Sequence, residues 1–192
     1  GANCKIYGNT ALRGGGVALG LEAVDATKYD VKSLSMTLTI NGADIYSNTA
    51  NYGAGVYLFK PSDLGALSDK YQNYFYLTNG TIHDNTANNQ GGGVYIEGGI
   101  AVNQMNNGKI YSNSANQGGG MAVNGGTSVG NGGEFYNNTA TGGVGGGFFI
   151  NSGNIQMAGG AVHNNTAATN GGGIYISGGN IDFSNGSLYS NG

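Results

Sequence analysis

Apolar positions recur along this chain in a short, ordered pattern: an apolar residue, an aromatic or His, a variable residue, Asn, then Thr or Ser followed by Ala. Complete copies span Ile6 to Ala11, Ile45 to Ala50, Ile82 to Ala87, Ile110 to Ala115, Phe135 to Ala140 and Val162 to Ala167, and another begins at Leu188 and reaches Asn191. Five to seven residues after each of the six motif asparagines comes a glycine triplet followed by apolar, any, apolar, as in Gly91 to Ile96; Ala54 takes the middle place of one triplet. A looser third segment, such as Ile155-Gln156-Met157 or Ile181-Asp182-Phe183, closes the later units. It leads to a glycine two residues before the next apolar position, at Gly80, Gly108, Gly133, Gly160 and Gly186. The alternation has period two, with Val94 and Ile96 inward and Tyr95 outward, and no stripe of period 3.6 accompanies it. Each unit therefore predicts three short strands separated by three turns.

The motif asparagines lie 39, 37, 28, 25, 27 and 26 residues apart. Self-similarity at that period, without helical periodicity, excludes leucine-rich, ankyrin and tetratricopeptide repeats and points to stacked β units. The predicted fold is all-β: a right-handed single-stranded parallel β-helix, or β-solenoid, with about 26 residues and three short strands per coil and roughly six to seven coils. Stacking at about 4.8 Å per strand would turn each position into a ladder. Val17, Val56, Val94, Met121, Phe148 and Ile174 then fill the core beside Leu19, Leu58, Ile96, Val123, Ile150 and Ile176. Burying each such side chain contributes roughly 1.5 to 3 kcal/mol. Asn9, Asn48, Asn85, Asn113, Asn138 and Asn165 form a structural ladder whose amides satisfy backbone groups at a corner. The triplets supply positive φ and close approach at the next corner.

Composition narrows the function. The chain has 192 residues, 40 of them Gly and one Pro, which makes glycine positional here and places all of 1–192 in one domain. Seven Lys and Arg against ten Asp and Glu give a net charge of −3, with no basic stripe for nucleic acid. No apolar run approaches the roughly 18 residues of a membrane span. The lone Cys4 forms no internal disulfide. The calcium-binding nonapeptide repeat needs an Asp that the glycine motif here lacks, so neither a metal nor a cofactor is expected. The pattern is cut at both ends, which reads as a piece of a longer repeat protein whose targeting signals lie outside it.

The GGGV, GGGM, GGGF and GGGI segments beside IYSN, IHDN, FYNN and VHNN resemble the polymorphic outer membrane protein type of autotransporter adhesin, with its GGA-I and F-x-x-N repeats. They also resemble the adhesin-like proteins of gut bacteria and methanogenic archaea. The likeness covers the whole chain, and it implies an extracellular or cell-surface passenger. It departs from that family in the third triplet position, usually Gly here where the family prefers Ala, and in the absence from this stretch of a membrane β-barrel.

Candidate chemistry lies where the repeat is interrupted. Insertions at residues 20–36 and 59–74 follow the post-triplet strand and are expected to protrude from the same corner of adjacent coils. They carry Glu22, Asp25, Lys28, Tyr29 and Asp30, and then Lys60, Asp63, Asp69, Lys70, Tyr71 and Tyr74, a candidate binding surface for a glycan or a host or cell-surface protein. The aromatic column Tyr7, Tyr46, His83, Tyr111, Tyr136, His163 and Tyr189 offers ring faces to sugars, or else simply stabilises the strands. The Thr column from Thr10 to Thr166 follows a corner, which disfavours an ice-binding surface. No catalytic constellation is visible, since from residue 110 onward only Glu134 and Asp182 are charged and the sole Arg, Arg13, lies at a turn. The expected function is a non-catalytic adhesin-like passenger or stalk. The alternatives are a polysaccharide lyase or hydrolase, or a structural spacer or filament subunit that self-associates end to end or laterally.

Overall fold

The structure, a computed structural model, describes residues 4–20, 34–60, 71–98 and 102–192. Among these residues the chain is all-β, with strands β1 to β20 numbered in chain order and no helix. Every pairing between strands is parallel, and each joins a residue to its counterpart one repeat away. The Ile-Tyr motif illustrates it: β1 (Lys5–Tyr7), β4 (Asp44–Tyr46), β8 (Thr81–His83) and β12 (Lys109–Tyr111) stack Ile6 on Ile45, Ile82 and Ile110. The series continues through Phe135 in β14 (Met121–Tyr136), Val162 in β16 (Phe148–His163) and Leu188 in β20 (Ser187–Tyr189). This arrangement is consistent with a β-solenoid.

The post-triplet segments stack likewise. Strands β2 (Val17–Leu19), β6 (Val56–Phe59) and β10 (Val94–Glu97) join the first residues of β14 and β16 and then β18 (Ile174–Ile176). A third series runs through β3 (Leu34–Asn41), β7 (Tyr71–Thr78), β11 (Val102–Asn106), the middle of β14 and β16, and β19 (Asn180–Phe183). Residues 34–36 and 71–74, which the sequence assigns to the insertions, are thus strand residues. The structure also adds a fourth element to the three expected per repeat. The Thr-Ala dipeptide forms its own short strand in β5 (Thr49–Tyr52), β9 (Thr86–Gln90), β13 (Ser114–Ala115), β15 (Thr139–Ala140) and β17 (Thr166–Ala167), a separate five-stranded sheet. The Thr column therefore sits on strands and not at a corner. Ala50, Ala54, Ala87 and Ala115 pack beneath it, small enough for this wall to lie close to the others.

One continuous core lies inside the walls. Val56, Leu58, Phe75, Leu77, Ile82, Val94, Ile110, Met121, Phe135, Phe148, Ile150, Met157 and Val162 are fully buried in it. Two corners shape the repeat. At the first, the Asn ladder is a continuous chain of amides: Asn85 Nδ2 donates to Asn113 Oδ1 at 3.0 Å and to the Ile45 carbonyl at 3.0 Å, while Asn85 Oδ1 accepts from the amide nitrogen and Nδ2 of Asn48. The same bonds recur from Asn9 to Asn191, and Asn48, Asn85, Asn113, Asn138 and Asn165 are buried. The residue before each Asn, which the sequence leaves variable, is constrained: Gly8, Ser47, Asp84, Ser112, Asn137, Asn164 and Ser190 all adopt positive φ, between 53° and 68°. That conformation costs most L-residues about 1 to 2 kcal/mol, and Gly and Asn the least. At the second corner the triplet opens with positive φ, as at Gly91 (67°). A Cβ on Gly92 would meet the backbone oxygens of Ser114 and Gly119 at 2.5 Å.

Asn113→Ala should lower unfolding stability by about 1 to 3 kcal/mol in urea titrations, because it strands buried donors and acceptors in two neighbouring repeats. Ser112→Val should cost about 1 to 2 kcal/mol through its positive φ, whereas Ser112→Asn should stay close to wild type.

Candidate functional site

The uniform columns satisfy themselves. In the aromatic column, successive rings from Tyr7 to Tyr189 stack with centroids 4.7 to 5.3 Å apart and planes within 6°. Each inner ring therefore has both faces covered by its neighbours and turns only an edge to solvent. Of the two readings of this column, stabilisation of the strands is the one this stacking fits.

Two other columns are not uniform, and they meet across the glycine corner. One holds the residue before each triplet: Arg13, Tyr52, Gln90, Gln117, Val144 and Asn170. The other is the outward position of the post-triplet strand, where Ala18, Tyr57, Tyr95, Ala122, Phe149 and Tyr175 stack in register. The alternation rule places this second column in solvent. Instead Tyr57, Tyr95, Ala122 and Phe149 are buried in a cluster of their own, packed by Tyr52, Phe59, Val144 and Tyr175. Large rings stack on one another here, and the column across the corner folds over them.

Arg13 lies over Tyr57, its guanidinium carbon 5.7 Å from the ring centroid, within cation–π range. Beside it a cavity of about 340 Å³ opens, lined by Arg13, Tyr52, Tyr95, Glu97, Gln90 and Gln117 together with Asn89 and Asn116. Tyr52 and Tyr95 lie 5.5 Å apart, centroid to centroid, and tilted by 34°. Gln90 Nε2 donates to Gln117 Oε1 at 2.7 Å, an amide rung that fixes the floor at one end. The Tyr57 hydroxyl donates to Glu97 Oε2. Burial, then the hydrogen bond and negative charge of Glu97, push the Tyr57 phenol well above the usual tyrosine range, and Arg13 pulls it partly back. Burial and the Glu97 charge also raise Tyr95, while its hydrogen bond with Asn124 opposes them.

Of the residues singled out in the insertions, Glu22, Asp25, Lys28, Tyr29, Asp30, Asp63, Asp69 and Lys70 lie outside the described residues. Lys60 is not among the residues that line the groove; its backbone N–H donates to the Glu97 carbonyl at 2.9 Å. Tyr71 is 2% exposed, and its hydroxyl and the Asn73 amide both donate to the Phe59 carbonyl, at 3.2 and 2.9 Å, tying β7 to the end of β6. Tyr74 is half-buried on the outer surface of β7, its ring parallel to that of Tyr76. Sequence reasoning passed over Arg13 as a turn residue and Tyr95 as an outward strand residue. The signal available was the mixed character of the column before the triplets, beside ladders that otherwise repeat one residue type.

Among the described residues the groove contains one carboxylate and one guanidinium. Glycoside hydrolysis ordinarily takes two carboxyl groups flanking the bond. A phenol held protonated is a poor general base near neutrality. The arrangement is suited to holding a polyhydroxylated ligand: amide donors and acceptors along one side, tyrosine rings as walls, and a charge of each sign. Comparison of the chain with protein-family models, curated proteins and solved structures finds no match in any of the three.

In an alkaline titration followed by tyrosinate absorbance, Tyr57 should ionise in a late phase, well above the usual tyrosine value of about 10, and Tyr57→Phe should remove that phase. Because its pKa is raised in the folded state, the contribution of Tyr57 to stability is present in full below its unfolded value of about 10 and is lost as pH rises from there through the folded value. Glu97→Gln should move the late phase to lower pH.

Proposed function

We propose that this chain is a non-catalytic, adhesin-like passenger or stalk at the cell surface, a right-handed parallel β-helix of six to seven coils that presents a recognition surface for glycans. The observation that carries this reading is the groove of Arg13, Tyr52, Tyr95, Glu97, Gln90 and Gln117. There, aromatic, amide and charged side chains replace one another from repeat to repeat. A concavity of about 340 Å³ is of the size that takes a small ligand or part of a chain. A stable protein partner would need roughly 800 Å² of complementary surface on this side. The stack of repeats supports the role mechanically, since every repeat is bonded to its neighbours through backbone ladders and the asparagine amides. The resemblance of the GGG and IYSN-type motifs to surface adhesins supports an extracellular location.

The test is binding of the full chain to a glycan array and to mucin-coated surfaces. Tyr95→Ala and Tyr52→Ala should each weaken capture about tenfold or more while the β-type circular dichroism spectrum is unchanged. Removal of residues 21–33 and 61–70 in a parallel variant measures what the insertions add to attachment. Release of reducing or unsaturated sugar ends during incubation, or capture indifferent to both tyrosine substitutions, would overturn the proposal.

A further inference from the structure

The charges of the groove define its ligand more narrowly, given the glycan-binding reading above. We infer that the groove takes a linear glycan segment lying along the stacking axis and bearing a single carboxylate, which Arg13 pairs.

The lining residues come from four successive repeats: Arg13 from the first, Tyr52 from the second, Gln90, Tyr95 and Glu97 from the third, and Gln117 from the fourth. Three steps of about 4.8 Å make the groove about 14 Å long in the axial direction. A ligand filling it is thus a run of linked sugars and not a single terminal residue. Arg13 lies at one end of this run, and it is the only Arg in the chain. Among the described residues no carboxylate pairs with it. Its guanidinium carbon lies 5.7 Å from the Tyr57 ring centroid, and the residue is exposed. A guanidinium fork in that position can receive a carboxylate through two parallel hydrogen bonds.

Glu97 sets the limit on charge. It stands two repeats from Arg13, about 10 Å along the axis, and the Tyr57 hydroxyl already donates to its Oε2, so Oε1 remains to accept from a sugar hydroxyl. A carboxylate on the sugar opposite Glu97 would be repelled. The groove therefore matches one acidic sugar at the Arg13 end followed by neutral ones over Tyr52, Tyr95 and the Gln90–Gln117 rung. Uronic and nonulosonic acids share this chemistry.

Isothermal titration calorimetry of the full chain at low salt separates the cases, with glucuronosyl-xylotriose against xylotriose for a uronic acid and sialyllactose against lactose for a nonulosonic acid. At least one acidic member should bind about tenfold or more tightly than its neutral parent. Arg13→Gln should abolish that preference, bringing the acidic member to within about threefold of its neutral parent, and Arg13→Lys should restore only part of it. Trigalacturonate should bind more weakly than the single-acid ligand, and Glu97→Gln should remove that penalty. Equal binding of acidic and neutral members, or a preference that survives Arg13→Gln, overturns the carboxylate inference and leaves glycan binding standing. Binding of none of these sugars, or tighter binding of an acidic peptide than of any of them, overturns both.

Discussion

Each residue here stacks on its counterpart in the next repeat at the parallel-strand spacing of about 4.8 Å, and the rest of the structure depends on that register. The buried asparagines hold it at the first corner. An Asn oxygen accepts two bonds from the Asn below, while its nitrogen donates to the Asn above and to a backbone carbonyl. Backbone groups that a sharp turn would leave unpaired are thereby satisfied in the interior, where an unmade bond is most costly. A shift of one residue in any repeat would break these bonds and turn the apolar columns outward together.

The same spacing governs side chains that the register brings into contact. The Tyr and His rings stack 4.7 to 5.3 Å apart with nearly parallel planes, close to the strand separation, although isolated aromatic pairs prefer offset or edge-on packing. The backbone imposes the stack. Wherever one residue type repeats, its interactions are spent within the column, and little is left for a ligand.

The groove lies where the columns are heterogeneous. Ala18 and Ala122 bracket the Tyr57–Tyr95 pair, and Arg13, Tyr52, Gln90 and Gln117 replace one another in the column before the triplet. The column before the triplet brings Arg13 over Tyr57 and lines the adjoining cavity with Tyr52, Gln90 and Gln117. Its charges then act on Tyr57 from opposite directions, Glu97 raising and Arg13 lowering its proton affinity. In the proposed glycan-binding role the repeats would contribute rigidity and the departures from repetition selectivity.

How much of this could be read from the sequence follows from the range of each interaction. The inward columns, the Asn ladder and the glycine corners were legible because they rest on local pattern and on one repeat period, and the parallel registers of Ile6, Ile45 and Ile82 follow from them. Local pattern failed where packing across a corner intervened. Tyr95 alternates outward along its own strand, yet it is buried because Tyr52 folds over it from the strand on the other side of the triplet. The Thr-Ala dipeptide looked like part of a corner until pairing with the same dipeptide one repeat away made it a strand. Arg13 and Glu97 are 84 residues apart in the chain, and only the stacking of repeats places both of them against Tyr57. The sequence by itself thus determined the period, the alternating strand segments around the inward columns and the core those columns fill, because each rests on alternation within a few residues or on the repeat itself. The tertiary structure alone decided the groove, because a concavity between two columns depends on what stands across the corner and one repeat away.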